Sequence, residues 1–247
     1  MALGSHLLKR YAVCLLADVS WDEVALTRGH DTKPIYRAGD GSEPVSFNVS
    51  HQAGLVVLVA SASASPVKQQ QNGDEEKEKK ADLGVDIVCP SERRLRDREL
   101  IRSQGWSAFV DMHADVLCPD EVAVLHSMAG DEDRLLRYFY ALWCLREAYV
   151  KMTGEALLAP WLPELEMRWF CPPEEQEGEE GGDGGRGRNL EIWFRGGRVV
   201  DVHVRLVDYM DEYMICTAVR GGDLHIGEYD VVDVRDVIAF AERSKGW

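Results

Sequence analysis

The sequence predicts an α+β fold. Helix-period and strand-period segments are mixed along its 247 residues without the strict alternation of a βαβ chain. Hydrophobic residues make up 45% of the chain, enough for a real core and too many for wholesale disorder. Two stretches, 61–80 and 172–188, hold almost nothing that builds a core. The first runs from small polar residues into charge, the second is acidic and glycine-rich, and both read as mobile solvent loops between structured parts.

Residues 3–17 suit a helix. Residues 45–50 and 54–60 suit two short strands joined by a His51-Gln52-Ala53-Gly54 turn, and 83–88 is an apolar strand interrupted by Asp86. Residues 106–116 and 119–128 suit helices, the second with Pro119 in its first turn. Residues 134–152 form the clearest helix, ended by Thr153-Gly154. Four strand-like runs follow at 165–170, 190–194, 199–207 and 213–219, and a short helix is expected over 234–243.

The formal charge is −15, which argues against general nucleic-acid binding. It is unevenly spread, net −2 over residues 1–82 and net −13 over the rest, so a polyanionic ligand should lean on the first half or be bridged to the second by a metal. The most apolar run, 53–60, is too short to span a bilayer, and the N-terminus lacks the features of a secretion signal. Six scattered cysteines without a C-x-x-C read as reduced thiols. The expectation is a soluble cytoplasmic protein without nucleic-acid or membrane partners.

Asp86 lies in the run Leu83-Gly84-Val85-Asp86-Ile87-Val88. Strand alternation would turn it to solvent, whereas as a ligand it would offer hard oxygen suited to Mg²⁺. On the helix over 134–152, Leu135, Phe139, Leu142 and Tyr149 mark a core stripe. Glu147 and Lys151, four apart, make either a surface ion pair or a metal ligand and a phosphate contact one turn apart. Phe47-Asn48-Val49-Ser50-His51 pairs a serine with a histidine. Adjacent strand residues face opposite ways and no nucleophile elbow is present, so a hydrolase is rejected; a structural histidine or an anion-holding turn remains. Arg28 and Lys33, the latter before Pro34, add cations to the less acidic half.

Taken in order, FNVSHQAGLVVLVA, LGVDIV and FYALWCLREAYVKMTGEAL, with the Lys33-Pro34 dipeptide ahead of them, resemble the 4′-phosphopantetheinyl transferase family over roughly residues 3–220. The resemblance is to the monomeric, two-lobed type that activates fatty-acid, polyketide and non-ribosomal peptide synthases and the lysine-pathway reductase, and the loops suggest a fungal member. It implies two similar lobes with pseudo-twofold symmetry, here 1–82 and 83–247, with coenzyme A between them. The implied reaction moves the 4′-phosphopantetheine arm of coenzyme A onto a serine of an apo carrier protein and releases adenosine 3′,5′-bisphosphate. Carried over residue by residue, Arg28 and Lys33 would flank the adenine and 3′-phosphate. Asn48, Val49, Ser50 and His51 would form the phosphate-holding turn, with His51 on the 3′-phosphate. Asp86 and Glu147 would hold Mg²⁺ against the diphosphate, and Lys151 would contact the phosphates and stabilise the leaving group. Glu147, or a water on the metal, would be the base.

Three departures accompany the resemblance. Val88 stands where many bacterial members carry a second carboxylate, leaving two protein carboxylates for the metal. Arg146 replaces the usual Lys, keeping the charge but changing the donor geometry. Family members carry several dozen residues before the helix at 3–17, including a first strand and basic coenzyme A contacts, so the first lobe is expected to be N-terminally shortened. The competing functions are a non-catalytic binder of coenzyme A or carrier protein and, further off, an unrelated phosphate-ester activity. Carrier docking is expected at an apolar patch with local basic residues near the cleft, sought over 104–128.

Overall fold

The computed structural model describes residues 2–29, 33–63, 81–155, 159–173, 189–221 and 224–244. The α+β expectation holds in a mixture of helices and antiparallel strands. Most of the two expected loops, 64–80 and 174–188, lies outside the described residues. Ser61 and Ala62, assigned to the first loop by composition, instead extend a strand.

The chain opens with α1 (Ala2–Ala17), followed by the short hairpin β1 (Leu26–Arg28) and β2 (Pro34–Tyr36), which the sequence did not signal. Then comes the hairpin β3 (Val45–Gln52) and β4 (Leu55–Ala62). His51 and Gln52 belong to the strand and not to the turn, since pairing continues to Gln52↔Leu55. The turn is the two residues Ala53 and Gly54, both left-handed at φ 46° and 88°, the geometry that matches strand twist. Val13 and Cys14 of α1 pack with Trp21, Tyr36, Val45 and Phe47 in a first core.

β5 (Asp82–Val88) is buried along all but its first residue. It pairs antiparallel with β10 (Tyr213–Arg220), whose other edge carries β9 (Val202–Tyr209). The expected strand over 199–207 is two strands, because β8 (Gly197–Val199) ends before β9 begins and pairs with β7 (Glu191–Phe194); β7 in turn pairs with β6 (Leu165–Arg168).

Between β5 and β6 the chain is helical. α2 (Pro90–Gln104) was not foreseen, and the helix expected over 106–116 is α3 (Trp106–Asp111) followed by a 3₁₀ turn, Ala114–Val116. α4 (Pro119–Ser127) and the 22-residue α5 (Glu132–Thr153) follow. The Asp131 side chain accepts the Arg134 amide at 2.9 Å to cap α5, and Gly154 closes it. Its Ala141, Cys144, Leu145, Ala148 and Met152 lie in the main core with Cys216 and Ala218 of β10. A 3₁₀ turn, Leu162–Glu164, precedes β6.

The last helix, α6 (Val234–Arg243), falls where the sequence predicts. By chain position it belongs with the second half, yet Val237 and Ala241 join the first core, and the Trp21 amide donates to the Ser244 carbonyl at 3.0 Å. Its strongly one-sided apolar stripe is satisfied by whichever unpaired face it reaches, here α1.

β3 and β5 are joined through side chains. The Val85 amide donates to Asn48 Oδ1 and the Cys89 amide to Gln52 Oε1, each at 3.1 Å. Val57, Val85, Ile87 and Ile215 fill the space behind this seam. The Tyr213 hydroxyl donates to the Ala53 carbonyl at 2.8 Å, anchoring the β3–β4 turn to β10. All six cysteines are free thiols, as expected. Among the described residues no helix is long and apolar enough to cross a membrane.

Candidate active site at the β3–β5–α5 junction

β5 runs between α5 and the β3–β4 hairpin, so neither of its faces meets water. Asp86 is therefore 6% exposed, and the solvent-facing alternative falls because alternation carries no inside–outside information in a strand covered on both faces. Its Oδ1 accepts from Lys151 Nζ at 2.6 Å and from Ser50 Oγ at 3.0 Å. Lys151 Nζ also lies 2.8 Å from Ser50 Oγ, which closes a triangle drawn from three elements. Burial pushes the Asp86 pKa up, while the Lys151 ammonium and the two hydrogen bonds pull against it.

Glu147 sits one helical turn before Lys151. Its pKa is pushed up to about 7, first by burial, then by the negative charge of Asp86, with Lys151 opposing. Two carboxylates thus repel each other across a site that holds a single close ammonium. No hydrogen bond or ion pair holds Glu147 among the described residues. Hard oxygens with unbalanced negative charge suit a divalent cation, and two carboxylates plus substrate oxygens is the usual donor set for Mg²⁺. Among the described residues no group of three or more His, Cys, Asp or Glu is arranged to hold a metal ion, so any such ion would draw its remaining donors from ligand or water.

Helix α5 can lie this close to β5 because of Gly84. A Cβ at that position would fall 2.0 Å from the Ala148 carbonyl oxygen and 2.4 Å from the Met152 amide nitrogen. Gly84 and Asp86 share a face of β5, two residues apart, so the backbone contact and the carboxylate meet the same stretch of α5. Sequence reasoning passed over Gly84, although a glycine inside an apolar strand is itself a sign of close backbone approach. From below, Cys144 Sγ reaches the Asp86 carbonyl at 3.6 Å.

The residues expected to form a phosphate-holding turn separate. Ser50 joins Asp86 and Lys151, and Asn48 is buried as the bridge to the Val85 amide. Val49 and His51 lie on the other face of β3, with His51 exposed at its end. Lys33 Nζ donates to the Met152 carbonyl at 3.1 Å, which brings the β1–β2 hairpin over the end of α5 beside Lys151. Arg28 is exposed at the end of β1, before a loop whose residues 30–32 lie outside the described set. Lys9 of α1, a cation that sequence reasoning missed, is pushed down in pKa by burial and by neighbouring Arg28. Two neighbouring cations within the less acidic half match a polyanion.

Residues 82–180 match the 4′-phosphopantetheinyl transferase superfamily, and residues 1–63 match the N-terminal region of 4′-phosphopantetheinyl transferases. The chain is 45% identical over 253 residues to 4′-phosphopantetheinyl transferase 1 of Fusarium mangiferae, across 99% of this chain and 79% of that protein. This chain belongs to the 4′-phosphopantetheinyl transferase family. Within the family it is also 32% identical to NpgA of Emericella nidulans, over 91% of this chain and 71% of that one. A Xenopus laevis L-aminoadipate-semialdehyde dehydrogenase-phosphopantetheinyl transferase is 28% identical over 158 residues, 63% of this chain and 44% of its own length. As a phosphopantetheinyl transferase the chain is an enzyme, and coenzyme A is the substrate of its family.

Proposed function

We propose that this enzyme transfers the 4′-phosphopantetheine arm of coenzyme A to a serine hydroxyl of an apo acyl or peptidyl carrier protein, releasing adenosine 3′,5′-bisphosphate in a Mg²⁺-dependent reaction. The observation that carries this reading is the buried Asp86–Lys151–Ser50 triangle with Glu147 beside it, at the seam between β3 and α5. Asp86 and Glu147 would hold Mg²⁺, which when bound supplies charge neutralisation to the diphosphate.

Lys151 would set an ammonium beside the 5′-phosphate of the leaving adenosine 3′,5′-bisphosphate, where charge gathers, in a site of low solvent access. Ser50 orients both partners of that pair. Glu147, or a water on the metal, would accept the proton of the carrier serine. Arg28 and Lys33, with Lys9, would hold the adenine and 3′-phosphate, with His51 on the 3′-phosphate. Asn48 contributes by keeping β3 against β5.

We assign the coenzyme A cleft to the boundary between two similar lobes, 1–82 and 83–247, with α6 returning to the first. The support is that each half stacks one helix on an antiparallel strand pair, α1 on β3–β4 and α5 on β5–β10. Carrier docking fits α2 better than the segment 104–128. Arg93, Arg94 and Arg96 are exposed around Leu95, itself 77% exposed, on the helix that directly follows the Asp86 strand. That basic and apolar patch on a chain of net charge −15 suits an acidic partner. A cytoplasmic monomer completes the proposal, in keeping with six free thiols.

The experiment is intact-protein mass spectrometry of an apo carrier protein incubated with this chain, coenzyme A and Mg²⁺, beside an EDTA control. A metal-dependent gain of one phosphopantetheinyl group is expected. No gain on carriers of the fatty-acid, polyketide, peptide-synthase and lysine-pathway types would overturn the reading in favour of a binding protein.

A further inference from the structure

Helix α5 has a second polar side. Arg146, the residue before Glu147, points away from Asp86 into the packing between α4 and β6 and is 2% exposed. Its Nη1 donates to Glu121 Oε2 and to the Leu165 carbonyl, each at 2.7 Å. Its Nη2 donates to the Val116 and Leu162 carbonyls, each at 2.6 Å. Glu121, 4% exposed, accepts in addition from the amides of Met167 at 2.8 Å and Cys118 at 3.1 Å. One ion pair therefore ties α5 to α4, β6 and both neighbouring 3₁₀ turns.

Stability alone does not account for such a pair. Desolvating two charges generally cancels what their attraction returns, and well-packed apolar residues do as well. What the pair does supply is direction. A planar guanidinium with four fixed acceptors admits one orientation. Gly84 and the apolar packing of Ala141, Cys144, Ala148 and Met152 set how near α5 lies to β5, but such packing is non-directional and fixes the helix's rotation less sharply than directed bonds do. A roll of about 20° moves a side-chain head some 6 Å from the helix axis by about 2 Å. That is enough to take Lys151 off Asp86, which it meets at 2.6 Å.

We infer that Arg146 and Glu121 are a positioning pair for the transfer reaction, fixing the rotation of α5 so that Glu147 and Lys151 face Asp86. The inference rests on the site reading proposed above. Its test compares wild type with Arg146→Met, Glu121→Gln and Arg146→Lys in two assays. One is a calorimetric titration of Mg²⁺ in the presence of coenzyme A without carrier. The other is steady-state transfer to an apo carrier protein.

Arg146→Met is expected to weaken Mg²⁺ binding by about 10-fold or more and to lower kcat by about 30-fold, with KM for coenzyme A within about 3-fold. Glu121→Gln should move both in the same direction by less, and Arg146→Lys should recover most of the loss. Folded variants that keep wild-type Mg²⁺ affinity and kcat, and show only a lower melting temperature, would overturn the inference. Where Arg146→Met does not fold, Glu121→Gln decides by the same criterion. A wild-type chain that binds Mg²⁺ but transfers nothing counts against the functional reading alone, and the titration across the variants still decides the positioning role.

Discussion

The two sides of the site are built differently. On the β5–α5 side, Asp86, Ser50 and Lys151 are bonded to one another at 2.6–3.0 Å before any ligand arrives, over a backbone contact at Gly84 that no side chain would permit. On the first-lobe side, Arg28 and His51 stand exposed at strand ends. The reacting centre is thus pre-arranged and desolvated, where electrostatic stabilisation is strong, and the nucleotide end is met by solvated side chains that attract without fixing. Substitutions on the buried side should therefore damage chemistry or fold, and substitutions on the exposed side should damage affinity.

The sharpest break would come at Asp86. Asp86→Ala is expected to lower Mg²⁺-dependent transfer by about 10³-fold or more while circular dichroism stays native, because it leaves Glu147 as the single carboxylate facing the Lys151 ammonium. Retained turnover would refute the ligand role. Gly84→Ala should come next. The added methyl meets backbone and not a flexible side-chain end, so about 1–3 kcal/mol of stability should be lost, read as a drop in denaturant midpoint. A neutral result would show that α5 can retreat from β5 without cost.

The pH response tests the same side more gently. Glu147 has a pKa raised to about 7, so its protonated form is the one favoured by folding. The stability it contributes is complete below its ordinary value and is lost as pH rises through about 7. The metal-free chain should accordingly melt lower at pH 8 than at pH 6 from this group. Mg²⁺ must displace that proton, so its affinity should fall by up to about tenfold per unit below pH 7 and level off above it. A flat Mg²⁺ affinity from pH 5.5 to 8 would remove Glu147 from the ligand set.

On the exposed side, His51→Ala should raise KM for coenzyme A by roughly 3- to 10-fold with kcat near wild type, since one solvated phosphate contact is lost. A pure rate defect would contradict the phosphate role. Smallest of all, deletion of residues 69–80 should change neither parameter by more than about twofold, on composition alone.

Much of this was legible from the chain. The helix at 234–243 and the strand carrying Asp86 sit where periodicity places them, and the long helix over 134–152 is extended by only a few residues. The motif residues Ser50, Asp86, Glu147 and Lys151 do converge. α2 escaped because five arginines leave its 15 residues without an apolar stripe. It is held from outside, by the Tyr140 hydroxyl on Asp97 at 2.6 Å and by ion pairs from Arg98 to Asp133 and from Arg102 to Glu132. The sequence reads His51 as entering a turn closed by Gly54. Gln52 is instead drawn into the strand by its bond to the Cys89 amide.

What the sequence determined by itself was the kind of most elements and the chemistry they carry, because capping, turn residues and side-chain period are written within a few neighbours along the chain. It could not decide which way Asp86 points, since a strand with both faces covered has no wet side to reveal by alternation. Nor could it decide which groups meet. Asp86 finds Lys151 across 65 positions and Ser50 across 36. Those meetings follow from β5 being enclosed between α5 and the β3–β4 hairpin, a choice made by burial of the whole molecule and not by any segment of it.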